Sequence, residues 1–90
     1  MPEINSIGLI ELSSVATGFV VEDLMLKAGS VELLLARSIC SGKFLIVVSG
    51  DVTSVQAAVA AGCKAAAEDG MLVGKGVIAN PAPELFKEYI

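Results

Sequence analysis

Histidine and tryptophan are both absent from the 90-residue chain. The missing histidine removes the commonest general base and most kinds of zinc site. Aromatic residues make up only 4% of the chain, too few for a platform on which nucleic-acid bases stack. The sequence also offers no nucleophile–base pair and no pair of carboxylates at catalytic spacing. We therefore expect no enzymatic activity.

Positive charge is scarce as well. Six Lys and Arg residues stand singly against ten Asp and Glu, and the net charge is −4. Nucleic-acid-binding proteins need clustered positive charge, so we expect no nucleic-acid partner. No apolar run approaches the ~20 residues that span a membrane, and Met1-Pro2-Glu3 does not resemble the start of a signal peptide. We expect no membrane partner and a cytoplasmic location.

Cysteine occurs only twice, as Cys40 and Cys63. One is predicted in a turn and the other on a helix, which is a poor framework for a disulfide. Cys63 falls on an alanine-rich helix face, where a thiol behaves as a small hydrophobic group. Cys40 is predicted at an exposed tip, an unusual place for an unreactive cysteine.

Apolar residues, by contrast, are abundant, at 54% of the chain. Residues 1–90 make one small domain, and a domain of this size buries only about 60–65% of the surface that its unfolded chain exposes. We therefore expect part of the remaining apolar surface to be buried between subunits, as it is in obligate oligomers.

The hydrophobic pattern predicts four strands and two main helices. The strands are 6–12, 31–36, 44–48 and 71–79, and the helices are 15–28 and 52–68, with a short terminal helix from Glu84 to Tyr89. Ser13, Ser14 and Asp51 are predicted helix caps. The order β-α-β-β-α-β is the ferredoxin-like split βαβ arrangement, an α/β (α+β) fold.

Each main helix has a predicted buried side. On the first helix we expect it to contain Val15, Phe19, Val20, Leu24 and Leu26, and on the second Val55, Ala58, Val59, Gly62, Cys63 and Ala66. Gly18 weakens the first helix and is expected to mark a close contact.

The segment Arg37–Lys43 is predicted as the connection of a β-hairpin between strands 31–36 and 44–48. It contains Gly42, which a tight turn needs where the backbone has positive φ. If several copies met around a symmetry axis, these tips would form a narrow opening lined by thiols, hydroxyls and backbone amides.

Four segments, in order and at matching intervals, resemble the bacterial microcompartment (BMC) shell domain. They are Gly8-Leu9-Ile10-Glu11-Leu12, Asp23-Leu24-Met25-Leu26-Lys27, Cys40-Ser41-Gly42-Lys43 and Ser49-Gly50-Asp51-Val52-x-x-Val55. In that family, flat cyclic oligomers tile into a sheet that encloses metabolic enzymes. A single-domain chain implies a homohexamer that associates with other shell proteins.

The resemblance also implies residue roles. The hairpin tip would line a central pore for metabolites, through Ile39, Cys40, Ser41, Gly42 and Lys43. Lys27, Asn80 and Pro81 would lie at the edge where oligomers meet. The common subunit carries Gly at the position of Cys40 and Arg at that of Asn80, so the chain looks more like one repeat of a tandem, trimeric shell protein.

Cysteine at the tip is the pattern of the few shell proteins that hold an iron–sulfur cluster in the pore. The resemblance thus implies Cys40 as a metal ligand for a 4Fe–4S cluster used in electron transport. One Cys per chain cannot supply the usual four thiolates, but cyclic symmetry brings equivalent tips together. The alternative is that Cys40 is only a small residue in the place of Gly and binds no ligand.

A second class of function also fits a small oligomeric ferredoxin-like chain, namely a regulatory module that binds a small ligand. Such a module usually has a Gly-containing ligand loop between a strand and a helix. The segment Leu12-Ser13-Ser14-Val15 has little of that character. The size of the assembled particles distinguishes the two, because shell proteins form sheets or tubes whereas regulators stay discrete.

Overall fold

The structure is a computed structural model that describes residues 6–40 and 42–81. Its elements are β1 (Ser6–Leu12), α1 (Val15–Ala28), β2 (Glu32–Cys40), β3 (Lys43–Gly50), α2 (Val52–Glu68) and β4 (Leu72–Ala79). The strands form one antiparallel sheet in the order β2-β3-β1-β4. This confirms the predicted α/β ferredoxin-like fold. The predicted helix from Glu84 to Tyr89 lies outside the described residues.

Both helices cover the same face of the sheet. α1 lies mainly over β3 and β2, and α2 lies mainly over β1 and β4. The core fills the space between this helix layer and the sheet, with fully buried side chains that include Ile10, Leu12, Val21, Met25, Ile46, Val48 and Val55. The two flanks of the domain are therefore different: one is formed by α1 with edge strand β2, the other by α2 with edge strand β4.

The helix starts are capped largely as predicted. The Ser14 hydroxyl oxygen accepts a hydrogen bond from the Thr17 N–H at 3.1 Å. Asp51 accepts one from the Ser54 N–H at 2.8 Å and another from the Ser54 hydroxyl at 2.9 Å. Ser13 has a different role, because its N–H donates to the Met71 carbonyl oxygen at 2.8 Å. This bond joins the start of α1 to the residue that precedes β4.

The predicted buried side of α2 is confirmed in full, since all six of its predicted residues are buried. The prediction for α1 is wrong for four of its five residues, because only Val15 packs against the core and Phe19, Val20, Leu24 and Leu26 are exposed. Gly18, Val21 and Met25 are buried, whereas Phe19 and Val20 are 62% and 58% exposed. Apolar residues occur on nearly every side of α1, so their spacing does not select one face. The close approach of Gly18 to the Phe44 ring decides which face meets the sheet.

The hairpin connection is shorter than predicted. β2 continues through Cys40 and β3 begins at Lys43, so only residues 41 and 42 lie between the strands. Residue 41 lies outside the described residues, and Gly42 has a φ of +75°, as a tight turn requires. The polar residues from Arg37 to Cys40 do not terminate β2. They are tolerated there because β2 is an edge strand and these final residues stay exposed.

Candidate functional site

The hairpin tip presents a thiol to solvent. Cys40 lies opposite Lys43 across the hairpin, is exposed, and forms no disulfide. Ile39, the preceding residue of β2, is 39% exposed. Four of the five predicted pore residues thus lie together at one end of the sheet, and Ser41 lies outside the described residues. The tip has the thiol, the glycine and the lysine that the sequence predicted for it.

Lys43 is directed back toward the sheet by an ion pair. Its Nζ lies 3.8 Å from Glu11 Oε2 on β1. Both side chains are partly exposed, so this pair contributes only about 0–1 kcal/mol. Its value is positional, because it places one positive and one negative charge near the thiol. Glu11 is thus paired within the chain.

The predicted edge residues lie at the other end of the domain. Ser6, the first residue of β1, pairs with Gly50 on one side and with Ala79 on the other, so Asn80 and Pro81 follow at this end. The opposite end of β1, Leu12, pairs with Phe44 near the hairpin tip. α1 starts near Leu12 and runs back, which carries its C-terminal part away from the tip.

Lys27 is in the last turn of α1, at this far end. Its side chain is 73% exposed and forms an ion pair with Asp23 Oδ2 at 2.8 Å. Asn80 has a φ of +51°, in the left-handed region that Asn tolerates better than most residues. The structure therefore separates the predicted site residues into two groups, the tip at one end and Lys27, Asn80 and Pro81 at the other.

A groove between α2 and β4 was not predicted. Its volume is about 310 Å³, and its lining includes Gln56, Ala60, Cys63, Lys75 and Val77. Cys63 is buried, which confirms its predicted structural role. Burial raises the pKa of its thiol, an effect that the positive charge of Lys75 partly offsets. A raised pKa favours the protonated form of the Cys63 thiol, which is less nucleophilic than the thiolate.

Within residues 6–40 and 42–81, no three His, Cys, Asp or Glu side chains are close enough to hold a metal ion. A single copy of the chain therefore cannot build a metal site from these residues. No helix in the same part of the chain is long and apolar enough to cross a membrane.

Comparison with known proteins agrees with this arrangement. The family described as "BMC domain" matches residues 6–81. The chain belongs to this family. The bacterial microcompartment shell protein PduT of Citrobacter freundii is 45% identical over 75 residues, which cover 83% of this chain and 40% of PduT. The carboxysome shell protein CcmK2 of Synechocystis sp. is 36% identical over 87 residues, which cover 94% of this BMC-domain chain and 82% of CcmK2.

A solved structure has the same fold. In the crystal structure of a microcompartments protein from Desulfitobacterium hafniense DCB, the matching part superposes with a TM-score of 0.84 at 38% sequence identity. The match covers 92% of this BMC-domain chain and 45% of that chain. The chain thus spans less than half the length of PduT and of the Desulfitobacterium protein. PduT and CcmK2 are named as shell proteins and not as enzymes, in agreement with the expected non-enzymatic role.

Proposed function

We propose that the chain is a structural subunit of a bacterial microcompartment shell. Six copies form a cyclic hexamer, and the hexamers lie edge to edge with other shell proteins around encapsulated enzymes in the cytoplasm. The observation that carries this proposal is the separation of the hairpin tip from Lys27 and Asn80 in a domain of the BMC family. One end is suited to a ring centre and the other to a ring perimeter.

Exposed apolar side chains support assembly. Among the described residues, the exposed large apolar side chains are Phe19, Val20, Leu24, Leu26, Leu33, Ile39, Val52, Val73, Val77 and Ile78. Several of them cluster on α1 and β4, on the two different flanks of the domain. Large exposed apolar patches are typical of interaction surfaces. A ring in which each flank meets the other flank of the next copy would cover both.

The pore in this proposal is formed by residues 39–43 of each copy. Among the described residues, each tip contributes a thiol, a glycine turn and the Lys43–Glu11 pair. Such a lining is suited to the passage of small polar metabolites. The lengths of PduT and of the Desulfitobacterium protein support the likeness to the tandem-type branch, in which three double-length chains would make the same six-domain ring.

Mass measurement in solution tests the ring. We expect the purified chain to have the mass of six copies in light scattering and native mass spectrometry. A stable monomer would overturn the proposal, because the exposed flanks would then have no partner. A trimer of single domains would overturn it as well, because three domains cannot form the outline that tiles with the rest of the family.

We also propose that the ring holds a 4Fe–4S cluster at Cys40. An exposed thiol at the tip fits this role if several copies converge, since residues 6–40 and 42–81 of one copy bring together no group of three metal-binding side chains. Thiolates of Cys are the usual ligands of such clusters, and the N–H of Gly42 lies close to them along the chain. When bound, the cluster would supply one-electron transfer across the shell.

Anaerobic reconstitution tests the cluster. We expect the parent chain to bind iron and sulfide with a visible absorption band and a paramagnetic signal after reduction. Cys40→Ser should lose both, whereas Cys63→Ala should keep both because Cys63 is buried away from the tip. If Cys40→Ser retains as much iron as the parent, or if the parent takes up none, the tip is only a pore lining.

A further inference from the structure

We propose that Arg37 and Lys43 form an anion site around one mouth of the proposed pore, on the face of the sheet that α1 and α2 leave uncovered. This inference rests on the proposed cyclic assembly and names the class of molecule that binds at this mouth. The ligand is a small oxyanion with more than one negative charge, either a carboxylate or a phosphate. We call Arg37, Lys43 and their neighbour Glu11 the tip charges.

Strand pairing places the tip charges on one face of the sheet. Glu11 on β1 pairs with Leu45 on β3, and Leu45 pairs in turn with Arg37 on β2. Residues directly opposite each other in an antiparallel sheet share a face. Lys43 Nζ lies 3.8 Å from Glu11 Oε2, so the Lys43 side chain is on this face as well.

This face is turned away from both helices. Phe44 precedes Leu45 on β3 and Leu12 follows Glu11 on β1, and both are buried in the core beneath the helices. Successive side chains of a strand point to opposite faces, so the tip charges face the other way. Among the described residues, a Cβ at Gly74, which pairs with Glu11 on β4, would have no neighbour within 4 Å. The space beside the tip charges is therefore open.

The tip charges have an excess of positive charge. Lys43 is paired with Glu11, whereas Arg37 is exposed and, within residues 6–40 and 42–81, takes part in no ion pair. Glu32 is also on β2 but lies roughly 15 Å farther along the strand, where it pairs with Ser49. The net charge of the chain is −4, so this local excess does not follow from its composition.

The helix side of the tip end has the opposite sign. α2 ends near the tip, because β4, which follows it, begins opposite Leu12. Glu68 and Asp69 are exposed there and outnumber Lys64. The carbonyl groups at the C-terminus of a helix add partial negative charge. The two mouths of the proposed pore would therefore differ in sign, and an anion would be attracted to the mouth on the uncovered face.

The two cations have complementary chemistry for an oxyanion. The guanidinium of Arg37 can donate two parallel hydrogen bonds to a carboxylate or a phosphate, and the ammonium of Lys43 adds a compact charge. Exposed charges of a single copy interact only weakly with an ion in water. Cyclic symmetry would repeat the same pair in every copy around the axis, which concentrates the positive potential at one mouth. Several cations in one place favour an anion with more than one charge.

Titration calorimetry of the assembled, iron-free parent chain tests the site. Citrate and inorganic phosphate are the two anionic probes, and glycerol is the uncharged comparison. We expect both anions to bind, more tightly at low salt, and glycerol not to bind. The tighter of the two anions identifies the carboxylate or the phosphate as the preferred group. Arg37→Gln should weaken anion binding by about tenfold or more, as loss of a hydrogen bond to a charged group does.

Two further variants serve as controls of sign and place. Lys64→Gln removes the same charge from an exposed position of α2 and should change the affinity for citrate little. Glu11→Gln should strengthen citrate binding several-fold, because it removes the negative charge beside Lys43. A purely structural role of Glu11 would not produce this gain. Circular dichroism and mass in solution check that each variant is folded and assembled.

The outcomes separate this inference from the proposed function. If the parent ring binds neither citrate nor phosphate, or if Arg37→Gln and Lys64→Gln weaken binding equally, the inference is wrong. It is also wrong if the ring binds an acidic peptide, such as oligoglutamate, but neither small anion. If Arg37→Gln does not assemble, Lys43→Gln takes its place under the same criteria. If the mass in solution shows no ring for the parent chain, the proposed function fails and the anion site fails with it.

Discussion

Gly18 is the residue at which α1 approaches the sheet most closely. A Cβ at this position would overlap the Phe44 ring, and Phe44 is itself buried. The ring cannot move aside freely because Phe19 rests against it. The sequence predicted a close contact here, since a glycine in a helix interior needs a packing reason. Its partner could not be predicted, because that depends on long-range strand pairing.

We predict that Gly18→Ala destabilises the chain by about 1–3 kcal/mol, the usual cost of overpacking a well-filled site. The control is Gly74→Ala on β4, because a Cβ there would have no neighbour within 4 Å. Gly74→Ala should leave the free energy of unfolding nearly unchanged. Denaturant unfolding of both variants beside the parent measures the difference. Equal losses in the two variants would mean that crowding against Phe44 does not determine the cost at Gly18.

At the scale of whole elements, the two helices differ in how far their sequences determine their packing. The buried side of α2 follows from small and apolar residues at i, i+3 and i+4 spacing, whereas its other positions carry polar residues and alanines with only one larger apolar residue, Val52. α1 has apolar residues on nearly every side. The sequence pattern therefore predicted the helix and both of its ends, but not which face of the helix is buried. The apolar residues of α1 outside this face would be covered only in the proposed ring, and the pattern of a single chain cannot separate them from the residues of the core.

The cap of α2 makes a prediction about pH. The Ser54 N–H and then the Ser54 hydroxyl, both hydrogen-bonded to Asp51, lower the pKa of its carboxyl group. Because the pKa of Asp51 is lower in the folded state, its carboxylate stabilises the fold at pH values above the unfolded-state pKa of about 3.9. This stabilisation is lost as the pH falls through the folded-state pKa. Asp51→Asn should therefore lower the melting temperature at pH 7 and have progressively less effect below about pH 4.

Ser14→Ala is the matched control for that experiment, because Ser14 caps α1 with a neutral oxygen. It should cost about 1 kcal/mol at every pH at which the chain stays folded. Thermal unfolding of the three proteins from pH 7 down to pH 3 gives the comparison. If the effect of Asp51→Asn on stability were as independent of pH as the effect of Ser14→Ala, the charge of Asp51 would be irrelevant to the cap.

At the scale of the whole molecule, the antiparallel topology determines which residues can act together. It places the tip thiol at one end of the sheet and Lys27 with Asn80 at the other, and it gives the two flanks different surfaces. The fold and the tip could be predicted from the sequence because they depend on local patterns. The α2–β4 groove could not, because its two walls come from segments that are paired only after β4 joins β1.

Lys27 is predicted to act between rings and not within one. Its only ion pair among the described residues is with Asp23 on the same helix, and both side chains are largely exposed. A single contact of this kind contributes about 0–1 kcal/mol. The proposed hexamer would have six edges, however, and edges that bind together multiply a small free-energy contribution. A modest change at Lys27 should therefore have a large effect on sheets and almost none on hexamers.

We predict that Lys27→Ala and Lys27→Asp keep the mass of the hexamer but raise the protein concentration needed for sheets or tubes several-fold, with the larger effect for Asp. Lys64→Ala is the control, because Lys64 is also an exposed lysine but is on α2 and lies nearer the tip end of that helix. Negative-stain imaging across a concentration series gives the readout. Unchanged sheets in both Lys27 variants would remove Lys27 from the edge contact, and the far end of the domain would then depend on Asn80 and Pro81 for its lateral role.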